Sequence, residues 1–174
     1  TRFITPLTFE SLTEQPCRTD TDMFGGARGQ THVSLARGLD LLVIAPCTAT
    51  TLAALATGSA GNMLTATALA ASCPVVVSPA MHTNMWFSPQ VQRNVRIISE
   101  FPGYLIVPPD EGSLASGDNG PGRFPPIERI FSYCVAALNT RVLRGRTVVV
   151  TAGPTREPID PVRVITNPST GRMG

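Results

Sequence analysis

Three short apolar runs constrain the fold of this chain more than any other feature. They cover residues 40–45, 74–77 and 104–107. Continuous apolar runs of this length are typical of strands buried on both faces of a parallel sheet. The segments between and after them have helical character; they are 52–57, 62–71, 89–100 and 127–138. This alternation predicts an α/β fold in which helices cover both faces of a parallel sheet, that is, a doubly wound sheet.

Two further segments set the expected domain organisation. Residues 108–126 carry four glycines and predict a long loop without regular structure. Loops of that length in compact domains often serve as lids or binding loops. The run at 147–150 predicts a new strand. We therefore expect a first domain over 1–140, a linker at 141–146, and the beginning of a second α/β domain over 147–174.

Composition excludes several functional classes. Charged residues make up 15% of the chain, against roughly 25% in typical globular domains. Either partner subunits cover the surface, or the composition is simply biased towards Ala, Gly and Pro. All 14 basic residues are arginine, which excludes a Schiff-base lysine and a P-loop lysine. The arginines are scattered and the net charge is +2, so no basic stripe predicts nucleic-acid binding.

The cysteines predict no metal centre. Cys17, Cys47, Cys73 and Cys134 lie far apart, without the spacing of metal ligands. We expect reduced, mostly buried thiols of a cytoplasmic protein. No apolar run approaches the length of a membrane span, so neither a membrane nor a metal is expected as a partner.

Polar residues follow two of the predicted strands. The segment 78–86, Ser-Pro-Ala-Met-His-Thr-Asn-Met-Trp, opens a helix after the run at 74–77. Open α/β sheets bind ligands at such strand ends. His82 in this segment can donate a hydrogen bond, and its cation would attract a carboxylate. The turn Thr48-Ala49-Thr50-Thr51 follows the run at 40–45. It predicts either a site for a phosphate or the edge of a flavin ring, or ordinary helix capping.

His32, the other of the two histidines, precedes the same run. A lone histidine is more often a surface residue or a satisfied core residue than a catalytic one. The residues alone leave both readings open.

Four motifs together resemble those of the flavin-dependent cysteine decarboxylases. The segment 78–86 is similar to the family pattern Pro-x-Met-Asn-x-x-Met-Trp. His-Val-Ser-Leu-Ala-Arg-Gly-Leu-Asp at 32–40 is similar to His-Ile-x-Leu-Ala-x-x-Ala-Asp, and Ala-Pro-Cys-Thr-Ala-Thr-Thr at 45–51 to Ala-Pro-x-Ser/Thr-Ala-Asn-Thr. Residues 114–124 resemble the substrate clamp Ala-Cys-Gly-Asp-x-Gly-x-Gly-Arg-Met. The resemblance implies a flavodoxin-like doubly wound sheet.

The resemblance implies roles for particular residues. The catalytic positions would be His32, as a base, His82 and Ser116. The FMN-binding positions would be Thr48, Ala49, Thr50, Thr51 and Ala80, and the substrate-binding positions His82, Met85, Arg123 and Asn167. Three positions depart from the family, because His82 and Thr50 replace asparagines and Ser116 replaces a cysteine.

The end of the chain carries a second resemblance. Residues 151–174 are similar to the beginning of a phosphopantothenate–cysteine ligase domain, and Asn167 matches the asparagine beside its acyl-nucleotide intermediate. CTP and Mg²⁺ would act only in a complete ligase domain, so we expect no ligase activity from these residues. The resemblance further implies that the family's first strand and flavin-phosphate loop are missing ahead of residue 1.

The implied activity belongs to coenzyme A biosynthesis. It is the FMN-dependent decarboxylation of the small molecule 4′-phosphopantothenoylcysteine to 4′-phosphopantetheine, in a homotrimer or trimer-based assembly. His82 predicts impaired or altered decarboxylation. Ser116 predicts a reaction that stops at the enethiol, since a hydroxyl is a far weaker acid than a thiol. The alternatives are a peptidyl-cysteine decarboxylase that yields an enethiol, a non-catalytic partner or regulatory subunit, and an inactive fragment.

Overall fold

The computed structural model describes residues 4–23, 31–114, 116–139 and 145–170. Its chain divides into two compact units, residues 1–139 and residues 140–174. Each unit is described by itself.

A three-stranded parallel sheet forms the centre of the first unit. Its strands are β1 (Leu42–Cys47), β2 (Val75–Pro79) and β3 (Tyr104–Ile106), in the order β1-β2-β3. The middle strand β2 is buried along its whole length. β1 lies at an edge among the described strands, and Val43 on it is exposed. The strands overlap the three apolar runs, so the predicted parallel sheet is confirmed.

Seven α-helices surround or follow the strands in the described residues. They are α1 (Pro6–Thr13), α2 (Thr31–Arg37), α3 (Ala49–Thr57), α4 (Met63–Ala70), α5 (Thr83–Trp86), α6 (Pro89–Ser99) and α7 (Ile127–Leu138). Side-chain caps fix several of their starts: Thr48 accepts from the Thr51 N–H, and Ser88 from the Val91 N–H. Because Thr48 caps α3, that helix begins three residues earlier than position 52, where its apolar pattern predicted it.

Alternate residues of β2 contact two separate apolar cores. Val75 and Val77 pack on one face with side chains of α3, α4 and α6, such as Leu52, Ala68 and Ile98. Val76 points to the other face and packs with Val107 and with Ile130 of α7. Helices therefore cover both faces of the sheet, which confirms the doubly wound α/β class.

The segment 108–126 is not the unstructured loop that its glycines predicted. It forms an antiparallel hairpin of β4 (Asp110–Ser113) and β5 (Asn119–Arg123). The prediction was wrong because main-chain hydrogen bonds build this hairpin from glycines and polar residues, which show no strand-like apolar alternation. An ion pair of 3.1 Å between Asp110 Oδ1 and Arg129 Nη2 ties the hairpin to α7.

The described part of the second unit is a small antiparallel hairpin. It pairs β6 (Arg156–Pro158) with β7 (Val164–Thr166), and both strands are exposed. The strand predicted at 147–150 is not formed, and its three valines are exposed. Within the described residues no strand pairs with this run, and an apolar run needs a neighbouring strand to complete its main-chain hydrogen bonds.

The cysteines are less buried than predicted. Cys47 is fully buried, whereas Cys17, Cys73 and Cys134 are half-buried. The expectation of mostly buried thiols was therefore wrong, because Cys17 and Cys73 lie in loops and Cys134 lies on a partly exposed face of α7. Among the described helices none is long and apolar enough to cross a membrane. The same residues contain no group of three or more potential metal ligands.

Candidate functional site

Two turns lie side by side at the carboxyl edge of the parallel sheet. Cys47, at the end of β1, pairs with Pro79, at the end of β2. The Ala80 N–H donates to the Cys47 carbonyl at 3.1 Å. The turn that begins at Thr48 is thus adjacent to Ala80, and the structure brings together the positions expected to contact a flavin. This edge is where open α/β sheets bind their ligands.

The beginning of α3 provides unused hydrogen-bond donors at this edge. The first amides of a helix lack intrahelical acceptors. Thr48 Oγ1 accepts from the Thr51 N–H at 3.3 Å. The two preceding amides, of Ala49 and Thr50, have no acceptor among the described residues. Next to this turn, the fully buried Ser78 Oγ also lacks a partner there. A ligand with phosphate or carbonyl oxygens fits this donor set.

A cavity of about 330 Å³ opens between the turn after β2 and the β4–β5 hairpin. Its lining residues are Met81, His82, Ser113, Leu114, Ser116, Gly122, Arg123 and Phe124. Three candidate residues that are far apart in sequence, His82, Ser116 and Arg123, therefore share one cavity.

The His82 ring has both nitrogens engaged. Nδ1 accepts from the Asn84 N–H at 3.2 Å, so the neutral ring carries its proton on Nε2. Nε2 lies 2.8 Å from Asp118 Oδ2 and donates to it. The Ser116 hydroxyl donates to the same carboxylate oxygen at 3.0 Å. The hydrogen bonds from His82 and then Ser116 hold the pKa of Asp118 below its ordinary value.

Sequence reasoning missed Asp118. It occupies the aspartate position of the clamp motif at 114–124, and that position was the available signal. Its contact with His82 spans 36 positions of the sequence, which no local pattern predicts.

Glycines allow the hairpin to approach the turn after β2 closely. The Met81 N–H donates to the Gly122 carbonyl at 2.9 Å. A Cβ on Gly122 would overlap the Met81 carbonyl oxygen, and one on Gly120 would overlap the Thr83 hydroxyl. The hairpin is thus a fixed wall of the cavity, held there by main-chain contact.

Arg123 is the cation of this cavity. It is exposed, and its side chain forms no hydrogen bond or ion pair with any residue that the structure describes. A guanidinium without a carboxylate partner is suited to bind an anionic group of a ligand.

Of the catalytic and substrate-binding candidates, three do not line this cavity. His32 lies on α2, and its Nδ1 is buried without a partner among the described residues. Met85 is 48% exposed and does not line the cavity. Asn167 lies in the second unit and is exposed. Their roles stay predictions.

Cys47, at the end of β1, is expected to be chemically inert. Burial raises the pKa of its thiol to about 12, so at pH 8 roughly one thiol in 10⁴ is ionised, and the thiolate is the reactive form. Brief iodoacetamide treatment of the native protein, followed by mass spectrometry, should label the half-buried Cys17 and leave Cys47 unmodified. Urea-denatured protein is the control and should be labelled at both. Equal native labelling would contradict the burial of Cys47.

Fold and site together define an α/β protein whose free hydrogen-bond donors at the carboxyl edge of the sheet are suited to hold a small molecule. Residues 1–139 match the model of the family described as flavoprotein, and the chain belongs to this family. Residues 143–174 match the DNA/pantothenate metabolism flavoprotein C-terminal domain.

Two curated relatives show how far the similarity extends. The coenzyme A biosynthesis bifunctional protein CoaBC of Bacillus subtilis is 43% identical over 176 residues, which cover 99% of this chain and 43% of that protein. A cysteine/cysteine sulfinic acid decarboxylase from an unknown prokaryotic organism is 42% identical over 176 residues, which cover 98% of this chain and 49% of that protein. The chain therefore spans less than half the length of these relatives.

Solved structures agree with the flavodoxin-like fold. A mutant PPC decarboxylase complexed with pantothenoylaminoethenethiol has a TM-score of 0.64 and 36% identity, covering 68% of each chain. The FMN-dependent cysteine decarboxylase SpaF has a TM-score of 0.65 and 39% identity, covering 79% of this chain and 74% of its own. The resemblance inferred from the four motifs is confirmed.

Proposed function

We propose that this chain carries the FMN-dependent decarboxylation of 4′-phosphopantothenoylcysteine, a step of coenzyme A biosynthesis. The observation that carries the proposal is the shared cavity of His82, Ser116 and Arg123, beside a turn rich in free donors. The 43% identity to CoaBC and the likeness to a PPC decarboxylase support the choice of substrate.

FMN fits the donor set at the carboxyl edge of the sheet. The amides of Ala49 and Thr50 and the hydroxyls of Thr48 and Thr51 would hold its oxygens, and the main chain at Ala80 would face it. Bound FMN would accept the electrons of the cysteine thiol end of the substrate, which makes loss of CO₂ easier.

The residues around the cavity would orient the substrate. The Nε2–H of His82 would bind its carboxylate, and Arg123 would bind an anionic group. Met85, which does not line the cavity, would contact a part of the substrate that extends over the exposed face of α5. His32 would act as the base that removes a proton at the thiol or carboxylate end, since a neutral imidazole accepts protons near neutral pH.

Ser116 would determine the product. Completion of the reaction to 4′-phosphopantetheine requires a proton for the enethiol carbon. The Ser116 hydroxyl already donates a hydrogen bond to Asp118, and a hydroxyl is a poor acid. The chain is therefore proposed to carry the decarboxylation of this step without its final reduction, and so to release the enethiol rather than the saturated thiol.

A homotrimer or trimer-based assembly would complete the site. His32 does not line the cavity of its own chain. The outer face of α7 exposes Ile127, Phe131, Val135 and Leu138, and such an apolar stripe is suited to a protein contact. These two observations support an active site shared between subunits.

The remaining expectations concern the longer protein and its environment. Residues 143–174 match the DNA/pantothenate metabolism flavoprotein C-terminal domain. Ligation of phosphopantothenate to cysteine, with CTP, Mg²⁺ and Asn167, is proposed only for a chain in which that domain is complete. The cytoplasmic location also stays a prediction.

The proposal is tested first by flavin retention and then by turnover. The purified chain is mixed with FMN, freed of unbound flavin, and examined by visible absorption spectroscopy; we expect a retained flavin band. The loaded protein should then release CO₂ from 4′-phosphopantothenoylcysteine. His32→Asn should lower that rate by about 100- to 10,000-fold, the usual effect of losing a general base.

A variant of the same helix controls for damage to α2. Arg37→Gln removes an exposed charge at the last turn of α2 and should leave the rate unchanged. Failure of the chain to retain flavin would contradict the proposed function. An equal loss of rate in both variants would contradict the proposed role of His32.

A further inference from the structure

His82 has a single N–H group to donate, and Asp118 accepts it. Nδ1 is occupied by the Asn84 N–H at the start of α5. The remaining donor, Nε2–H, points to Asp118 Oδ2 at 2.8 Å. Any other carboxylate that approaches the ring from the cavity must therefore take the place of Asp118.

Asp118 carries the same chemical group as the proposed ligand of His82. We propose that Asp118 is a specificity-determining residue that occupies the His82 donor in the absence of substrate and competes with the substrate's carboxylate for it. This inference rests on the proposed function, in which His82 binds that carboxylate. Asp118 would then set how strongly the site favours a carboxylated ligand over the same ligand without its carboxylate.

The hydrogen bond from His82 to Asp118 can be exchanged for one from His82 to a ligand. The side chains of His82 and Asp118 are 34% and 63% exposed, and exposed pairs of this kind contribute little free energy. The Asp118 carbonyl accepts from the Leu114 N–H at 2.8 Å, which anchors its main chain in the hairpin. The carboxylate can leave His82 by a side-chain rotation while the hairpin stays in place.

Neighbouring groups retain the displaced carboxylate. The Ser116 hydroxyl donates to the same oxygen of Asp118 at 3.0 Å and can keep this bond after His82 is released. Arg123 lines the cavity and adds a positive charge to it. A substrate that brings its own carboxylate thus exchanges one anion for another at His82, and the displaced Asp118 carboxylate, 63% exposed, stays in contact with water.

The test compares two inert ligands that differ only in the carboxylate. One is 4′-phosphopantothenoylserine, in which oxygen replaces the reactive sulfur; the other is 4′-phosphopantothenoyl-ethanolamine, which lacks the carboxylate. Their dissociation constants are measured by calorimetry with the FMN-loaded chain. The variants are Asp118→Ala and, as control, Glu111→Gln, which removes an exposed charge from the same hairpin outside the cavity.

We expect Asp118→Ala to bind the serine ligand about fivefold more tightly, the size of effect expected when an exposed charged contact no longer competes. Its affinity for the ethanolamine ligand should be unchanged, and Glu111→Gln should bind both ligands like the unsubstituted chain. Weaker binding of the serine ligand by Asp118→Ala would show that Asp118 positions His82 instead, and would overturn the inference.

The resonances of ¹⁵N-labelled histidine provide a second readout. The chain has two histidines, so His82 is assigned by substitution of His32. The His82 Nε2 signal should respond to the serine ligand at lower concentration in Asp118→Ala than in the unsubstituted chain. Tighter binding without any decarboxylation of the cysteine substrate would support the role of Asp118 and contradict the proposed reaction. No response of His82 to the serine ligand would overturn the inference.

Discussion

Ser116→Cys is expected to change the product of the reaction from an enethiol to a saturated thiol. Release of the enethiol leaves two electrons on the flavin, so without dioxygen the unsubstituted chain should stop after about one CO₂ per bound flavin. A cysteine thiol is a much stronger acid than a serine hydroxyl. It would supply the proton with which the electrons return to the substrate, and the flavin would be oxidised again for further turnovers.

The measurement combines anaerobic flavin absorbance with mass spectrometry of the product. The unsubstituted chain should show a bleached flavin and the enethiol, and Ser116→Cys a recovered flavin and 4′-phosphopantetheine. Ser113→Cys is the matched control, because it places a thiol on the same cavity wall. The Ser113 side chain forms no hydrogen bond with Asp118, unlike that of Ser116, so this variant should behave like the unsubstituted chain. Several anaerobic turnovers by the unsubstituted chain would refute the role assigned to Ser116.

Gly122→Ala is expected to lower decarboxylation by at least about 100-fold, because it displaces the wall of the cavity. Gly122 has φ +129°, and an added Cβ would overlap the Met81 carbonyl oxygen. The hairpin must then move away, which breaks the hydrogen bond from the Met81 N–H to Gly122 and separates Asp118 from His82. The strained main chain alone costs about 1–3 kcal/mol.

Gly117→Ala separates strain from overlap. Gly117 has φ +90° in the turn of the same hairpin, and a Cβ there meets nothing within 4 Å. It should lower the melting temperature by a few degrees and leave the rate within about threefold of the starting value. The measurements are the kcat/KM and the melting temperature of both variants. Equal rates for Gly117→Ala and Gly122→Ala would show that close contact at Met81 is unimportant.

The sheet was predictable because its information is local. Each strand overlaps an apolar run, and α7 (Ile127–Leu138) begins and ends where its apolar periodicity predicts. The hairpin was not predictable in this way. Its strands consist of glycines, polar residues and Pro121, and its stability comes from main-chain bonds and from the contact with Met81.

The sequence predicted the residues of the candidate site better than the contacts between them. Thr48 and His82 follow the ends of β1 and β2, so the order of strands and turns was enough to select them, whereas Ala80 was selected by the family resemblance. The absence of His32 and Met85 from the cavity could not be inferred, because exposure and orientation depend on how distant elements pack. The contact between Asp118 and His82 could not be inferred for the same reason, because it depends on how the hairpin packs against the turn after β2.

By itself, the sequence determined the doubly wound α/β class, the flavoprotein family and the strand ends at which a ligand would bind. These follow from apolar periodicity and from the chemistry of consecutive residues, which any short segment carries with it. Only the tertiary structure decided that His82 donates to Asp118 and that Ser116 donates to the same carboxylate. These contacts arise where the hairpin closes on the turn after β2, and the distances between side chains there are set by packing.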